Sequence, residues 1–143
     1  MSMGPVQDIK IVWLQSLLNK QAMSGEMLEV YGDGSQTRDF IYIDDLVGAI
    51  LLAVEKGKVS AGEIFQIATH SETTINELLK MLTPLLTEVG LHNFKVHYSS
   101  VREGDVKRNF LDTSKTKELL EWTPSVKLVE GLKHTIAWFM KDA

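Results

Sequence analysis

Apolar side chains recur along this chain with two periods, and each period marks an element. Ile9, Val12, Trp13, Leu17 and Leu18 fall on one helical face, which Ser24-Gly25 ends. Residues 28–31 read as a short strand, Gly32-Asp33-Gly34 as a turn, and residues 40–43 as a second strand rich in β-branched and aromatic side chains. Asp44 or Asp45 stands where a helix would be capped. The helix that follows is apolar almost all round, through Leu46, Val47, Ala49, Ile50, Leu51, Leu52, Ala53 and Val54, and such a helix expects cover on several sides. Residues 63–68 read as a third strand. Thr74-Ile75-Asn76-Glu77 has the spacing of a capping box, opening a helix with Leu78, Leu79, Leu82, Leu85 and Leu86 on its apolar side. Pro84 predicts a kink or break there, and Gly90 an end. Residues 94–98 alternate like a strand. Asp112-Thr113-Ser114 caps a short helix that stops near Trp122-Thr123-Pro124, and Val129, Leu132, Ile136, Ala137 and Phe139 mark a last helix. No repeat or linker interrupts this order, so one α/β unit over residues 1–143 is expected, with residues 1–3 read as an appended start.

Composition narrows the possible partners. The formal net charge is −4, so no global field draws in nucleic acid or anionic lipid, and an anionic ligand must be held by a few local cations. Cysteine is absent, which removes disulfides, thiolate nucleophiles and zinc–thiolate sites, and fits a cytoplasmic protein. The longest apolar run, residues 46–54, is too short to span a bilayer. His70, His92, His97 and His134 show no ligand spacing, so a metal site is not expected.

Arg38 sits where the glycine turn becomes strand. Its rigid fork of donors suits phosphate oxygens, and suits equally a salt bridge with Asp39 or another acid. Arg102-Glu103-Gly104-Asp105, with Lys107 and Arg108 close behind, is either a second cationic loop that grips a diphosphate from the other side or a solvated charge run. Asp44-Asp45 reads better as a cap than as an acid/base pair. Tyr31 could pack on a flat base or simply half-bury as a strand aromatic. Gly32-Asp33-Gly34 is not a dinucleotide fingerprint, because Thr37 stands where a third glycine belongs and strand follows instead of helix.

With those residues in view, the run from Val30 through Gly32-Asp33-Gly34-Ser35-Gln36-Thr37-Arg38-Asp39-Phe40 to Asp44-Asp45 closely resembles the substrate-side segment of nucleotide-sugar epimerases and dehydratases, members of the extended short-chain dehydrogenase/reductase family. Three further segments agree in order: Phe65-Gln66-Ile67-Ala68 with the capped helix after it, Arg102-Glu103-Gly104-Asp105, and Leu119-Leu120-Glu121-Trp122-Thr123-Pro124 with Leu128, Glu130, Gly131, Leu132 and Trp138. Gly4-Pro5 resembles the loop before the family's first substrate-domain helix. Gln66 and Ala68 depart from the Asn and Gly common in the family, and residues 6–24 form an unusual version of its helix.

The resemblance implies an α/β fold, mostly helical with short strands: the C-terminal substrate-binding domain of such an enzyme, without the N-terminal Rossmann half. It implies that Arg38 and Arg102 bind the diphosphate of a UDP-sugar, that Asp105 contacts the ribose, and that Glu29 and Tyr31 meet the base through their backbone, with the Tyr31 ring close by. Asp39, Asp44 and the Trp122-Thr123-Pro124 corner would be architectural. In the whole enzyme a hydride would pass from sugar to NAD and back. That chemistry needs a glycine-rich NAD loop and a Tyr-x-x-x-Lys pair. Tyr31, Tyr42 and Tyr98 are followed four residues later by Ser35, Leu46 and Arg102. The chain by itself is therefore expected to be inactive and to bind no NAD. Epimerase is the expected class. A 4,6-dehydratase or decarboxylase shares this part, and a non-catalytic nucleotide- or protein-binding module is the alternative from another class. The helix from Leu46 and the segment 64–68 would pack on the Rossmann half in the family, so the chain alone is expected to show a bare strand edge and apolar patch and to form homo-oligomers.

Overall fold

The computed structural model describes residues 27–92, 95–101 and 103–141. The helix expected over 9–18, Gly4-Pro5, Trp13 and Arg102 lie outside them. Strand β1 (Met27–Tyr31) pairs in parallel with β4 (Lys95–Ser99), from Met27 opposite Lys95 to Tyr31 opposite Ser99. Alternation along β1 buries Leu28 and Val30 to 1% exposure and turns Glu29 and Tyr31 to the other face. A second, antiparallel pair joins β2 (Thr37–Arg38) to β3 (Thr73–Thr74).

The crossover from β1 to β4 carries helices α1 (Ile43–Glu55), α2 (Gly57–Ser60) and α3 (Ile75–Glu88). The capping box at the start of α3 forms as expected. The Thr74 hydroxyl accepts from the Glu77 N–H at 3.1 Å, and the Glu77 carboxylate accepts from the Thr74 N–H at 2.8 Å. Ile75, Leu78, Leu79, Leu82, Leu85 and Leu86 of α3 form the main core with Leu28 and Val30 of β1 and with Leu132 and Ile136 of α4 (Leu128–Lys141). Burying each such side chain stabilises the fold by about 1.5–3 kcal/mol. Pro84 does not break α3, which runs through it to Glu88.

Two expected strands do not form. Residues 40–42 have no regular structure, and Ile43 already belongs to α1. The turn away from β3 starts at Asp39, whose buried carboxylate accepts from the N–H of Thr69 at 2.9 Å, its hydroxyl at 2.6 Å and the N–H of Ser71. Residues 63–67 have no strand partner among the described residues, so their β-propensity has no ladder to join. A hydrogen bond from the Thr116 hydroxyl to the Gln66 carbonyl, at 2.7 Å, ties this segment to the π-type turn Thr116–Leu120.

The expected cap on α1 is also different. Tyr42 holds the cap position without a side-chain bond. Asp45 turns inward and accepts from the Ser125 N–H and hydroxyl and from the Val126 N–H, at 2.7–3.1 Å. It fastens the first turn of α1 to the corner after Trp122. Ala49, Leu120 and Trp122 make a second, small core beside it.

Candidate nucleotide site at the strand ends

Because β1 and β4 run in parallel, the loops that follow them leave from the same edge. Open α/β sheets bind ligands at that edge. The two loops are joined directly: the Gly32 N–H donates to the Ser99 carbonyl and the Thr37 N–H to the Lys107 carbonyl, both at 2.9 Å.

The turn after β1 is tightly determined. Gly34 has a φ of +76°, and a Cβ there would stand 2.2 Å from Asn76 Oδ1. Asn76 Nδ2 donates to the Asp33 carbonyl at 2.9 Å, and the Tyr98 hydroxyl donates to Asn76 Oδ1 at 2.9 Å. Gln36 Nε2 donates to the Tyr31 carbonyl at 2.7 Å. The Asp33 carboxylate accepts from the Ser35 hydroxyl and N–H, which lowers its pKa below the ordinary value.

Arg38 leaves this turn with its side chain 18% exposed. Nη1 donates to the Thr37 carbonyl at 2.8 Å and the Val106 carbonyl at 2.6 Å, and Nη2 to Asp105 Oδ1 at 2.5 Å. Three of the five guanidinium N–H groups are thereby used. Two of the site residues singled out from the sequence, Arg38 and Asp105, thus form an ion pair across 67 positions. The partner is not Asp39, whose carboxylate is occupied by Thr69 and Ser71. Glu29 and Tyr31 form another pair on the half-buried face of β1, the Tyr31 hydroxyl donating to Glu29 Oε2 at 2.8 Å. Arg102, the expected second guanidinium, lies outside the described residues.

Glu72 carried no signal in the sequence. It accepts from the Thr37 hydroxyl at 2.7 Å and from both Nε and Nη2 of Arg108, at 2.9 and 2.5 Å. The Arg108 bonds, then the Thr37 bond, lower its pKa to about 2. In the sequence Arg108 is only one cation in a polar loop.

An open groove of about 580 Å³ lies elsewhere, lined by Ala49, Ile50, Ala53, Phe65, Ile67 and Leu120 among others. It is apolar and offers none of the paired cationic donors a diphosphate needs, so the strand edge is the better candidate. Val47, Ile50, Leu51 and Val54 of α1 are exposed, Val54 at 74%, and Ile64 at 83%; Ile50 and Val54 also line the groove. No helix among the described residues is long and apolar enough to cross a membrane.

Known proteins match this chain closely. The profile of the family described as GDP-mannose 4,6 dehydratase matches residues 4–135. The UDP-glucose 4-epimerase of Mycolicibacterium smegmatis is 32% identical over 124 residues, which cover 87% of this chain and 38% of that protein. The dTDP-glucose 4,6-dehydratase of Escherichia coli is 33% identical over 134 residues, covering 88% and 36%. Among solved structures, UDP-glucose 4-epimerase from Thermotoga maritima with UDP-glucose superposes with a TM-score of 0.73 at 40% identity, over 92% of this chain and 38% of that one. UDP-glucuronic acid 4-epimerase from Bacillus cereus, in complex with UDP-glucuronic acid and NAD, gives 0.74 at 28% identity, over 88% and 39%. The chain thus spans little more than a third of the relatives it matches. The α/β arrangement described above is part of the extended short-chain dehydrogenase/reductase fold, and the chain belongs to the family of nucleotide-sugar epimerases and dehydratases that the GDP-mannose 4,6 dehydratase profile describes.

Proposed function

We propose that residues 1–143 are the nucleotide-sugar-binding domain of an NAD-dependent nucleotide-sugar epimerase, and that they take a UDP-sugar at the edge where β1 and β4 end. The observation that carries this reading is the Arg38–Asp105 pair, which joins the two loops at that edge at 2.5 Å. Arg38 keeps two N–H groups for phosphate oxygens, with Arg102 as the second cation. Asp105 keeps Oδ2 for a ribose hydroxyl. Glu29 and Tyr31 receive the base at the end of β1. Holding the substrate by its remote nucleotide orients the sugar without touching the reacting carbon.

The turn at Gly32-Asp33-Gly34 is read as no NAD loop. The glycine turn runs into β2 instead of a helix, and the Asp33 carboxylate occupies the turn amide that a pyrophosphate would need. With no Tyr-x-x-x-Lys pair in these residues, they are read as inactive by themselves, supplying substrate recognition to the Rossmann half of the whole enzyme. A cytoplasmic location accompanies this reading, supported by the absence of cysteine.

Calorimetric titration of UDP into the 143-residue chain is the test. Arg38→Ala removes charged hydrogen bonds worth about 1.5–3 kcal/mol and is expected to weaken UDP about tenfold to a hundredfold. Unchanged affinity would overturn the phosphate role. The similarity to a dTDP-glucose 4,6-dehydratase keeps a dehydratase as the second reading. If Asp105 meets the ribose 2′-hydroxyl, UDP binds more tightly than dTDP, and Asp105→Asn narrows the gap. Equal affinities favour the dehydratase reading.

A further inference from the structure

We infer that Glu72 is a positioning residue for this site: it anchors the loop of residues 103–108 to β2 and so keeps Asp105 beside Arg38. The inference rests on the nucleotide-binding reading above. Residues 103–113 form no helix or strand, so the loop owes its place to discrete ties. Glu72 makes two of them, as many as Arg38. Oε1 accepts from the Thr37 hydroxyl on β2 and from Arg108 Nε, and Oε2 accepts from Arg108 Nη2. One carboxylate thus joins β2, the approach to β3 and the end of the loop.

The tie lies next to the candidate site in both directions along the chain. Thr37 precedes Arg38, and its N–H holds the Lys107 carbonyl. Arg108 follows Lys107, and Val106 gives its carbonyl to Arg38. The loop is therefore held at three successive residues, all on β2 or on Glu72 beside it, and Asp105 is the next residue out.

An isolated surface ion pair would do little, and the Arg108 side chain is 74% exposed. This pair differs in two ways. Arg108 meets the carboxylate through two parallel N–H bonds, a planar match that restricts orientation as well as distance. The Glu72 side chain is 24% exposed and is already fixed by the Thr37 hydroxyl. The fork also occupies two of the Arg108 donors that a phosphate would otherwise take, which favours an anchoring role over direct ligand contact.

The experiment uses the full chain with UDP as the probe. Glu72→Gln and Arg108→Lys are each expected to weaken UDP about three- to fivefold, and the double variant no further than either single one. Thr37→Val should lose less. In a background that lacks both groups, Arg38→Ala with Asp105→Ala, Glu72→Gln should change affinity no further, because it acts through that pair; a general loss of structure would still lower it. Hydrogen exchange at the Thr37 amide, followed without UDP, should quicken in Glu72→Gln. A Glu72→Gln chain that binds UDP as well as the parent overturns the inference, and tighter binding would show Arg108 released onto the phosphate. Unchanged Thr37 exchange overturns it too. If the parent chain ignores UDP, the nucleotide reading fails, and the exchange result still decides whether Glu72 anchors the loop.

Discussion

The strand edge and the α1 face are opposite solutions to the same sequence constraints. Around Arg38 the polar groups find one another within the chain: Arg38 with Asp105, Glu72 with Thr37 and Arg108, Asn76 with the Asp33 carbonyl and Tyr98. Around α1 the apolar groups do not. Ala49 is buried against Leu120 and Trp122, yet Val47, Ile50, Leu51 and Val54 face outward along one side of the helix. Hydrogen bonds and ion pairs are directional and can be completed by a few loop residues. Apolar area needs a matching surface of similar size, and the described residues do not supply one.

That contrast can be broken from either side. The largest effect is expected from Gly34→Ala in the polar region. It demands a left-handed conformation of an L-residue and drives a Cβ into Asn76. A cost of about 1–3 kcal/mol in urea denaturation is expected, together with weaker UDP binding. A variant as stable as the parent would mean that the turn adapts and does not pre-organise Arg38.

Substitution in the apolar region should act on assembly instead. We propose that the chain alone self-associates by laying this face of α1 against a second copy, because exposed apolar side chains at positions 47, 50, 51 and 54 make a continuous helical stripe. Ile50→Glu with Val54→Lys should turn the assembly into monomer by light scattering and leave stability within about 0.5 kcal/mol of the parent. A parent chain that is strictly monomeric at high concentration would rule this out.

The smallest effect is a titration. Glu72 has an ordinary pKa of 4.5, lowered in the fold to about 2 by Arg108 and Thr37. A depressed carboxyl contributes its stability in full above the unfolded value and loses it as pH falls through the folded one. The difference in melting temperature between parent and Glu72→Gln should therefore be constant from neutral pH down to about 4.5 and vanish toward about 2. A difference that persists at the acid end would show that the ionised carboxylate is not what holds the loop.

Local patterns carried much of this protein in the sequence alone. The strand Met27–Tyr31, the glycine turn, the capping box of Thr74 and Glu77 and the helix Leu128–Lys141 could all be read from it, because each depends on residues a few positions apart. So could the candidate status of Arg38 and Asp105. Tertiary structure decided what those residues meet. Residues 40–43 and 63–67 have the composition of strands, but a strand exists only against a partner, and partners are not written locally. Asp45 reads as a helix cap and serves instead as a clasp on Ser125 and Val126, some 80 residues away. Glu72 lies in no motif at all; only the fold brings Thr37 and Arg108 to its two oxygens. Helix periodicity and turn chemistry are short-range properties of the backbone, whereas the pairing of charges depends on where distant loops are brought together.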